Sequence, residues 1–247
     1  QSLNKLHEIL DGFLSKGKCK VAILQGLSEE DCKNFLESLK GNENIKVQSI
    51  LSHLATSDDV MQEGFAKGQI DLFEKLSLKL MNELDIKPIR HILNTSGISN
   101  FQNSQYDMVR LGIGLYGVSN DPEEQKRLEN VGTLKSIISQ IRSIQKGESV
   151  GYGRKFIASR ETRVATIPIG YADGISRAWG NGVGFVVVKK QKAPIIGSIC
   201  MDMLMIDCTY MECKEGDAVI IFGENPTVNY IAKQLSTISY EILTSIS

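Results

Sequence analysis

Apolar positions recur along the chain at two spacings, and the change from one to the other divides it. Leu3, Leu6, Ile9, Leu10 and Phe13 fall at helical spacing and stop at Gly17. Residues 21–24 form a short apolar run that predicts a buried strand. Residues 28–39 open on a cap-like serine and two acids, then place Cys32, Phe35, Leu36 and Leu39 on one helical face. A strand is predicted over 47–54, with His53 at its end. A long helix is predicted over 60–84, with Met61, Phe65, Phe73, Leu76 and Leu80 facing inward. Another strand follows Pro88 over 89–93, and 109–116 is apolar and glycine-rich. This β-α-β-α order predicts a parallel sheet with helices outside, as a barrel or as an open sheet. Either architecture delivers functional residues at the C-terminal ends of strands. His53, Asn94 and Arg110 all fall there.

Near Asp121 the pattern changes. Residues 121–127 read as a charged linker. Short strand-like segments follow at 134–144, 163–169, 184–189, 193–199, 204–207 and 218–222, separated by Lys-Gly, Gly-Asn-Gly and Glu-Gly-Asp turn signals. They predict an all-β domain, a sandwich or a barrel. A short helix over 228–235 and an apolar segment over 240–246 complete the chain. The expected fold is therefore α/β over 1–128 followed by all-β over 129–247. A complete eight-unit β/α barrel takes about 250 residues, so a barrel in the first part would be about half of one.

Composition narrows the functional classes. With 247 residues, 42% hydrophobic and a net charge of −1, the chain reads as an ordinary globular protein, with no reason to expect nucleic acid or a membrane surface as partner. No apolar run approaches the ~20 residues needed to span a bilayer. The N-terminal segment is amphipathic rather than signal-like. Five cysteines, an odd number with no C-x-x-C pair, fit a reducing cytoplasm, and Cys200 and Cys208 lie in apolar runs as expected of buried thiols. The three histidines lack metal-ligand spacing, so no metal is expected.

The stretch from Gly147 to Phe156 sets Tyr152 between Gly151 and Gly153. Glycines on both sides allow unusual backbone geometry, so the hydroxyl can project into a cleft; a strand-end bulge with an aromatic plug is the plainer alternative. Taken singly, His53 reads as a structural histidine, Arg110 as an ion-pair partner of Asp107, and Met201 as core.

Taken together, several stretches resemble one family. These are His91-Ile-Leu-Asn94-Thr95, the run Asp107-Met-Val-Arg110-Leu-Gly112-Ile113-Gly-Leu-Tyr116-Gly, and Val150-Gly-Tyr152-Gly. Ile169-Gly-Tyr171-Ala-Asp-Gly174 with Arg177, Gly197-Ser-Ile-Cys-Met201-Asp202, and Thr237-Ile-Ser-Tyr240-Glu-Ile-Leu complete the set. In this order they are similar to alanine racemase. The resemblance implies a β/α (TIM-type) barrel that binds pyridoxal phosphate (PLP), followed by a β domain. It implies a cytoplasmic homodimer with shared active sites, interconverting L- and D-alanine for peptidoglycan.

The resemblance also implies roles. Racemisation through a PLP imine uses two acid/base groups on opposite faces of the substrate. One is the lysine that holds PLP; the other matches Tyr152. A tyrosine hydroxyl ordinarily has a pKa near 10, so a base of this kind needs nearby positive charge or hydrogen bonds. The family pattern supplies them from His53 and Arg110 of the partner subunit, with Arg110 also facing the pyridine nitrogen. Thr95, Gly112 and Ile113 match the phosphate positions, with Asn94 orienting their loop. Met201 matches the position whose amide meets the substrate carboxylate, and Tyr171, Asp202 and Arg177 match the entrance lining.

The chain departs from the pattern in four ways. Nothing resembles the early motif that carries the PLP lysine. The Asp-Thr-Gly-Met segment is missing. The terminal tyrosine that binds phosphate is absent. Ser198 stands where many members carry arginine. The expected explanation is that these residues are the retained part of a longer enzyme, because half a barrel exposes strand edges and apolar faces. The alternatives are a racemase-like module of a bifunctional cell-wall enzyme and an inactive, truncated dimerisation module.

Overall fold

A computed structural model describes residues 29–40 and 46–246. The helix predicted near the N-terminus and the strand predicted over 21–24 lie outside the described residues. The chain divides into two compact units: one runs to Gly114 and takes in Ser119–Glu124, and the other holds Leu115–Val118 and the chain from Gln125 onward.

The first unit follows the β/α pattern. Helix α1 (Glu29–Leu39) precedes strand β1 (Ser49–Leu51), helix α2 (Glu63–Leu84), strand β2 (Ile89–His91) and helix α3 (Thr95–Asn100). The two strands run parallel, with Ser49 opposite Ile89 and Leu51 opposite His91. Leu36 and Leu39 of α1, Ile50 of β1, Phe73 and Leu80 of α2, and Ile92 and Leu93 after β2 form one core. Each such side chain, fully buried, stabilises the unit by roughly 1.5–3 kcal/mol.

Helix α2 departs from the sequence pattern at its start. Met61 and Phe65, expected to face inward, are 89% and 57% exposed. Asp59 accepts the Met61 amide and opens a tight 3-10 turn over Val60–Gln62, so the α-helix begins only at Glu63. Its buried stripe is Ala66, Phe73, Ser77 and Leu80. Phe65 precedes Ala66 by one residue and so points about 100° away from that stripe. The predicted charged linker is also more ordered than its composition implies. Asp121 Oδ1 accepts the amides of Glu123 and Glu124 at 2.7 and 2.8 Å, opening the one-turn helix α4 (Pro122–Gln125).

The second unit is an antiparallel sheet. Its strands are β3 (Leu134–Ile137), β4 (Gln140–Ile144), β7 (Thr162–Ile167), β8 (Phe185–Val188), β9 (Gln191–Ile196), β10 (Leu204–Asp207) and β11 (Ala218–Phe222). They lie in the order β3-β11-β8-β9-β10-β7-β4. The two outer strands are consecutive in the chain. Between them, Ile138 N donates to Asp217 O and Ser139 N donates to Thr166 O, at 3.0 and 2.9 Å. The sheet therefore curls back on itself and joins its edges through one bent strand, the barrel-like solution of the two left open by the sequence. Ile167, Val186, Val188, Ile195, Leu204, Ile206 and Ile221 fill its interior. Helices α5 (Val228–Gln234) and α6 (Ser239–Ser245) pack against that core through Val228, Ile231, Ile242 and Leu243. The small ribbon of β5 (Ser149–Val150) and β6 (Phe156–Ile157) has its own cluster of Val150, Val164, Ile196, Cys200 and Met205, with Phe156 against it.

Candidate functional site

In the first unit, the parallel pairing of β1 and β2 sets their C-terminal ends level. His91 ends β2, and His53 follows β1 by two residues. Arg110 joins them. Its Nη1 donates to His91 Nδ1 at 2.5 Å, and its Nη2 lies 3.3 Å from His53 Nδ1. The same guanidinium donates to the carbonyls of Ser52, His91 and Ile92 at 2.6, 3.2 and 3.3 Å. The Arg110 amide donates to Leu93 O at 3.0 Å, which fixes its backbone beside the strand end.

This geometry sets protonation. A guanidinium only donates, so both Nδ1 atoms must accept, and each imidazole is neutral with its proton on Nε2. Both histidines titrate below their ordinary value, first from desolvation of the ring and second from the Arg110 charge. Every acceptor around Arg110 is uncharged, and no carboxylate among the described residues pairs with it. Asp107, its candidate ion-pair partner on sequence grounds, instead accepts the Arg90 amide at 2.8 Å.

Beside this cluster, Asn94 caps α3 by accepting the Gly97 amide at 3.0 Å. Thr95, 3% exposed, accepts from Gly112 N at 2.9 Å and from Gly114 N at 3.3 Å through Oγ1. A Cβ on Gly114 would lie 2.9 Å from the Thr95 methyl, so the turn closes on the threonine because that position is bare. The Gly112 amide, expected to face a ligand phosphate, is thus held by Thr95, and the threonine O–H is left to donate. Ile113 is buried at the head of the 3-10 turn Ile113–Tyr116. His91 was not assigned a role from sequence; its position at a strand end, matching that of His53, is the signal that marks it.

In the second unit, Tyr152 begins a 3-10 turn between β5 and β6. It is 77% exposed, so it is no plug. Its placement comes from the backbone. Gly151, at φ +75°, leaves space that a Cβ would lose to Met205 Cε at 3.2 Å and Ser198 N at 3.4 Å. Ser198 Oγ donates to the Tyr152 carbonyl at 3.4 Å. A cavity of about 510 Å³ opens beside the turn, lined by Tyr152, Arg142, Glu148, Thr166 and Cys200.

Two residues past Ser198 the chain meets the other candidates. Tyr171 N donates to Cys200 O at 2.9 Å, and Ala172 N donates to Met201 O at 2.8 Å. A Cβ on Gly170 would fall 2.4 Å from both of those carbonyl oxygens, so this approach requires glycine. Arg177 lies 5.9 Å from the Tyr171 ring centre. Met201 is 59% exposed and not core, and Asp202 beside it is exposed too. The structure thus brings His53, Arg110, Asn94, Thr95, Gly112 and Ile113 together in one unit, and Tyr152, Tyr171, Arg177, Met201 and Asp202 in the other.

The donor set in the first unit fits PLP in part. A hydroxyl on a glycine turn suits a phosphate, and an uncompensated guanidinium suits an aromatic nitrogen. None of these groups is the amine that an imine requires.

Fold and sites together define a two-unit protein, part of a β/α barrel followed by an antiparallel β domain. Residues 25–120 match the alanine racemase N-terminal domain, and residues 131–247 match the alanine racemase C-terminal domain. The chain belongs to the alanine racemase family. Alanine racemase 2 of Caldanaerobacter subterraneus subsp. tengcongensis is 36% identical over 258 aligned residues, covering 99% of this chain and 66% of the relative. Alanine racemase of Clostridium tetani is 38% identical, covering 83% of this chain and 54% of the relative. The chain therefore spans less than two thirds of the curated relatives' length. Among solved structures, Clostridium difficile alanine racemase in complex with cycloserine superposes with a TM-score of 0.85 at 33% identity, over all of this chain and 66% of that one. Bartonella henselae alanine racemase, with covalently bound pyridoxal phosphate, gives 0.80 at 28% identity, over 99% of this chain and 68% of that one.

Proposed function

We propose that the assembled protein containing this chain interconverts L- and D-alanine with PLP as cofactor, supplying D-alanine for peptidoglycan. The observation that carries this reading is Arg110, a half-buried cation held by two neutral imidazoles with no carboxylate beside it among the described residues. Relatives that are alanine racemases over nearly the whole of this chain support it.

Residues 1–128 would carry the cofactor groups and 129–247 the catalytic tyrosine. Thr95 would hold the phosphate from the Gly112–Ile113 turn, with Asn94 fixing their loop, and Arg110 would meet the ring nitrogen. When bound, PLP supplies an electron sink for charge on the substrate α-carbon. Arg110 can only donate, so it keeps an acceptor facing it unprotonated, which favours proton exchange over side chemistry. Tyr152 moves the α-proton on one face through its hydroxyl. His53 and Arg110 of the partner subunit stand behind that hydroxyl in a homodimer. The Met201 amide orients the substrate carboxylate, and Tyr171, Asp202 and Arg177 line the way in. Cys200, Cys208 and Cys213 are buried free thiols, which supports a cytoplasmic setting.

The test is direct. Full-length protein is loaded with PLP, incubated with L-alanine and assayed by chiral chromatography. D-alanine is the expected product; none from a PLP-loaded dimer would sink the reading.

A further inference from the structure

The loop that carries His53 is tied down by residues outside those assigned above. Gln69 of α2 uses both ends of its amide on this loop. Its Oε1 accepts from Ala55 N at 3.0 Å, and its Nε2 donates to the His53 carbonyl at 3.4 Å. Four residues past His53, Ser57 is 4% exposed. Its hydroxyl donates at 2.7 Å to Asn94 Oδ1, the oxygen that also takes the Gly97 amide. Asn100 Nδ2 donates to the Ser57 carbonyl at 2.9 Å. Gln69 therefore fixes the start of the loop to α2, and Ser57 fixes its end to the cap of α3.

The His53 ring itself is weakly held. Its hydrogen bond to Arg110, at 3.3 Å, is long for a charge-assisted one, whereas His91 meets the same guanidinium at 2.5 Å. His91 also sits on a strand and is 3% exposed, whereas His53 is an exposed residue of a loop. Where His53 points is thus governed by its backbone, and its backbone is governed by the two straps. Resting on the racemase reading above, we propose that Gln69 and Ser57 are positioning residues that hold the His53 imidazole against Arg110. Neither touches the reacting atoms; they keep Nδ1 turned to the guanidinium and so leave Nε2–H as the ring's donor.

The experiment follows the histidine rings of the 247-residue chain by nitrogen-15 NMR in the wild type, Gln69→Leu and Ser57→Ala. In both variants the His53 pKa is expected to rise toward its ordinary 6.5 and its tautomer to become mixed. His91 is expected to stay as in the wild type, and Ser57→Thr, which keeps the hydroxyl, to restore His53. In the assembled enzyme, kcat should fall by roughly 10- to 100-fold, since a misplacement of about 1 Å can cost that much. KM for alanine should hold within about twofold. A lock that is only structural would lower Tm in both variants without moving the His53 titration, and that result overturns the proposal. If the wild-type assembly makes no D-alanine, the racemase reading fails, while the His53 titration still decides this inference.

Discussion

Arg110 and Tyr152 sit in different units and are held in different ways. The Arg110 guanidinium reaches three carbonyls and two imidazole nitrogens, so its position is written in side-chain hydrogen bonds. The Tyr152 ring is 77% exposed and its hydroxyl has no partner among the described residues. Its position is written in the backbone, by bare glycines that let two turns approach. The first arrangement protects a charge and a tautomer. The second presents a free hydroxyl on a fixed base. A group that must stay in one protonation state needs the first; the second leaves a hydroxyl free for partners that its own unit does not supply.

The difference is broken most severely at the tyrosine. Tyr152→Phe removes one oxygen that has no hydrogen-bond partner among the described residues, so Tm and the far-ultraviolet spectrum should not change. Racemisation by the assembled enzyme should fall by about 10²–10⁴, the usual worth of a positioned acid/base group. Full activity would remove Tyr152 from the chemistry, and a lowered Tm would mean the ring is part of the fold after all.

Gly170→Ala attacks the backbone side of the comparison. The new Cβ would lie 2.4 Å from the Cys200 and Met201 carbonyls, and neither is a flexible side-chain end. The turn must shift, at a cost of up to about 3 kcal/mol. Tm should drop by several degrees, at roughly 2–4 °C per kcal/mol for a chain of this size. The nitrogen-15 shifts of His53 and His91 should be unaffected. An unchanged Tm would show that the two carbonyls give way freely.

These two variants also mark what was legible in the residues. The β/α order of the first unit and the β strands of the second follow from apolar spacing, because burial on one face imposes it. Strand 204–207 matches β10, and the bent 134–144 segment matches β3 and β4 together. The start of α2 was not legible, since Asp59 accepts the Met61 amide and opens a 3-10 turn ahead of the α-helix. The site residues were legible as positions in a family pattern. Their supports were not. Gln69, Ser57 and the His91 side of Arg110 act through contacts between residues 14 to 37 positions apart, and no local spacing encodes them.

Thr95 tests a smaller part of the side-chain arrangement. Thr95→Val keeps the shape and removes the oxygen that takes the Gly112 and Gly114 amides. Losing these partly exposed hydrogen bonds should cost about 1 kcal/mol. Thr95→Ser should retain most of the stability. If valine and serine melt alike, the hydroxyl does not hold the turn, and its fitness for a phosphate loses its structural support.

The smallest effect is on pH, and it separates the units without any substitution in the second. All three histidines of the chain precede residue 115, so none belongs to the β unit. His53 and His91 both titrate below 6.5 in the folded state. Between that value and their folded values the unfolded chain binds more protons, so stability rises with pH there. The contribution is fully present above about 6.5, is lost as pH falls through the folded values, and levels off once both states are protonated. Trp179, the only tryptophan, reports the β unit in denaturant melts, and hydrogen exchange in β1 and β2 reports the first. Above about pH 5, where carboxylates are mostly ionised, acid should loosen β1 and β2 before it moves the Trp179 transition. Arg110→Gln then divides the causes. Desolvation is the larger and the Arg110 charge the smaller, so the variant should flatten the slope without abolishing it. A slope that vanishes would mean the guanidinium alone keeps the imidazoles neutral. An unchanged slope would mean that it contributes nothing to their protonation.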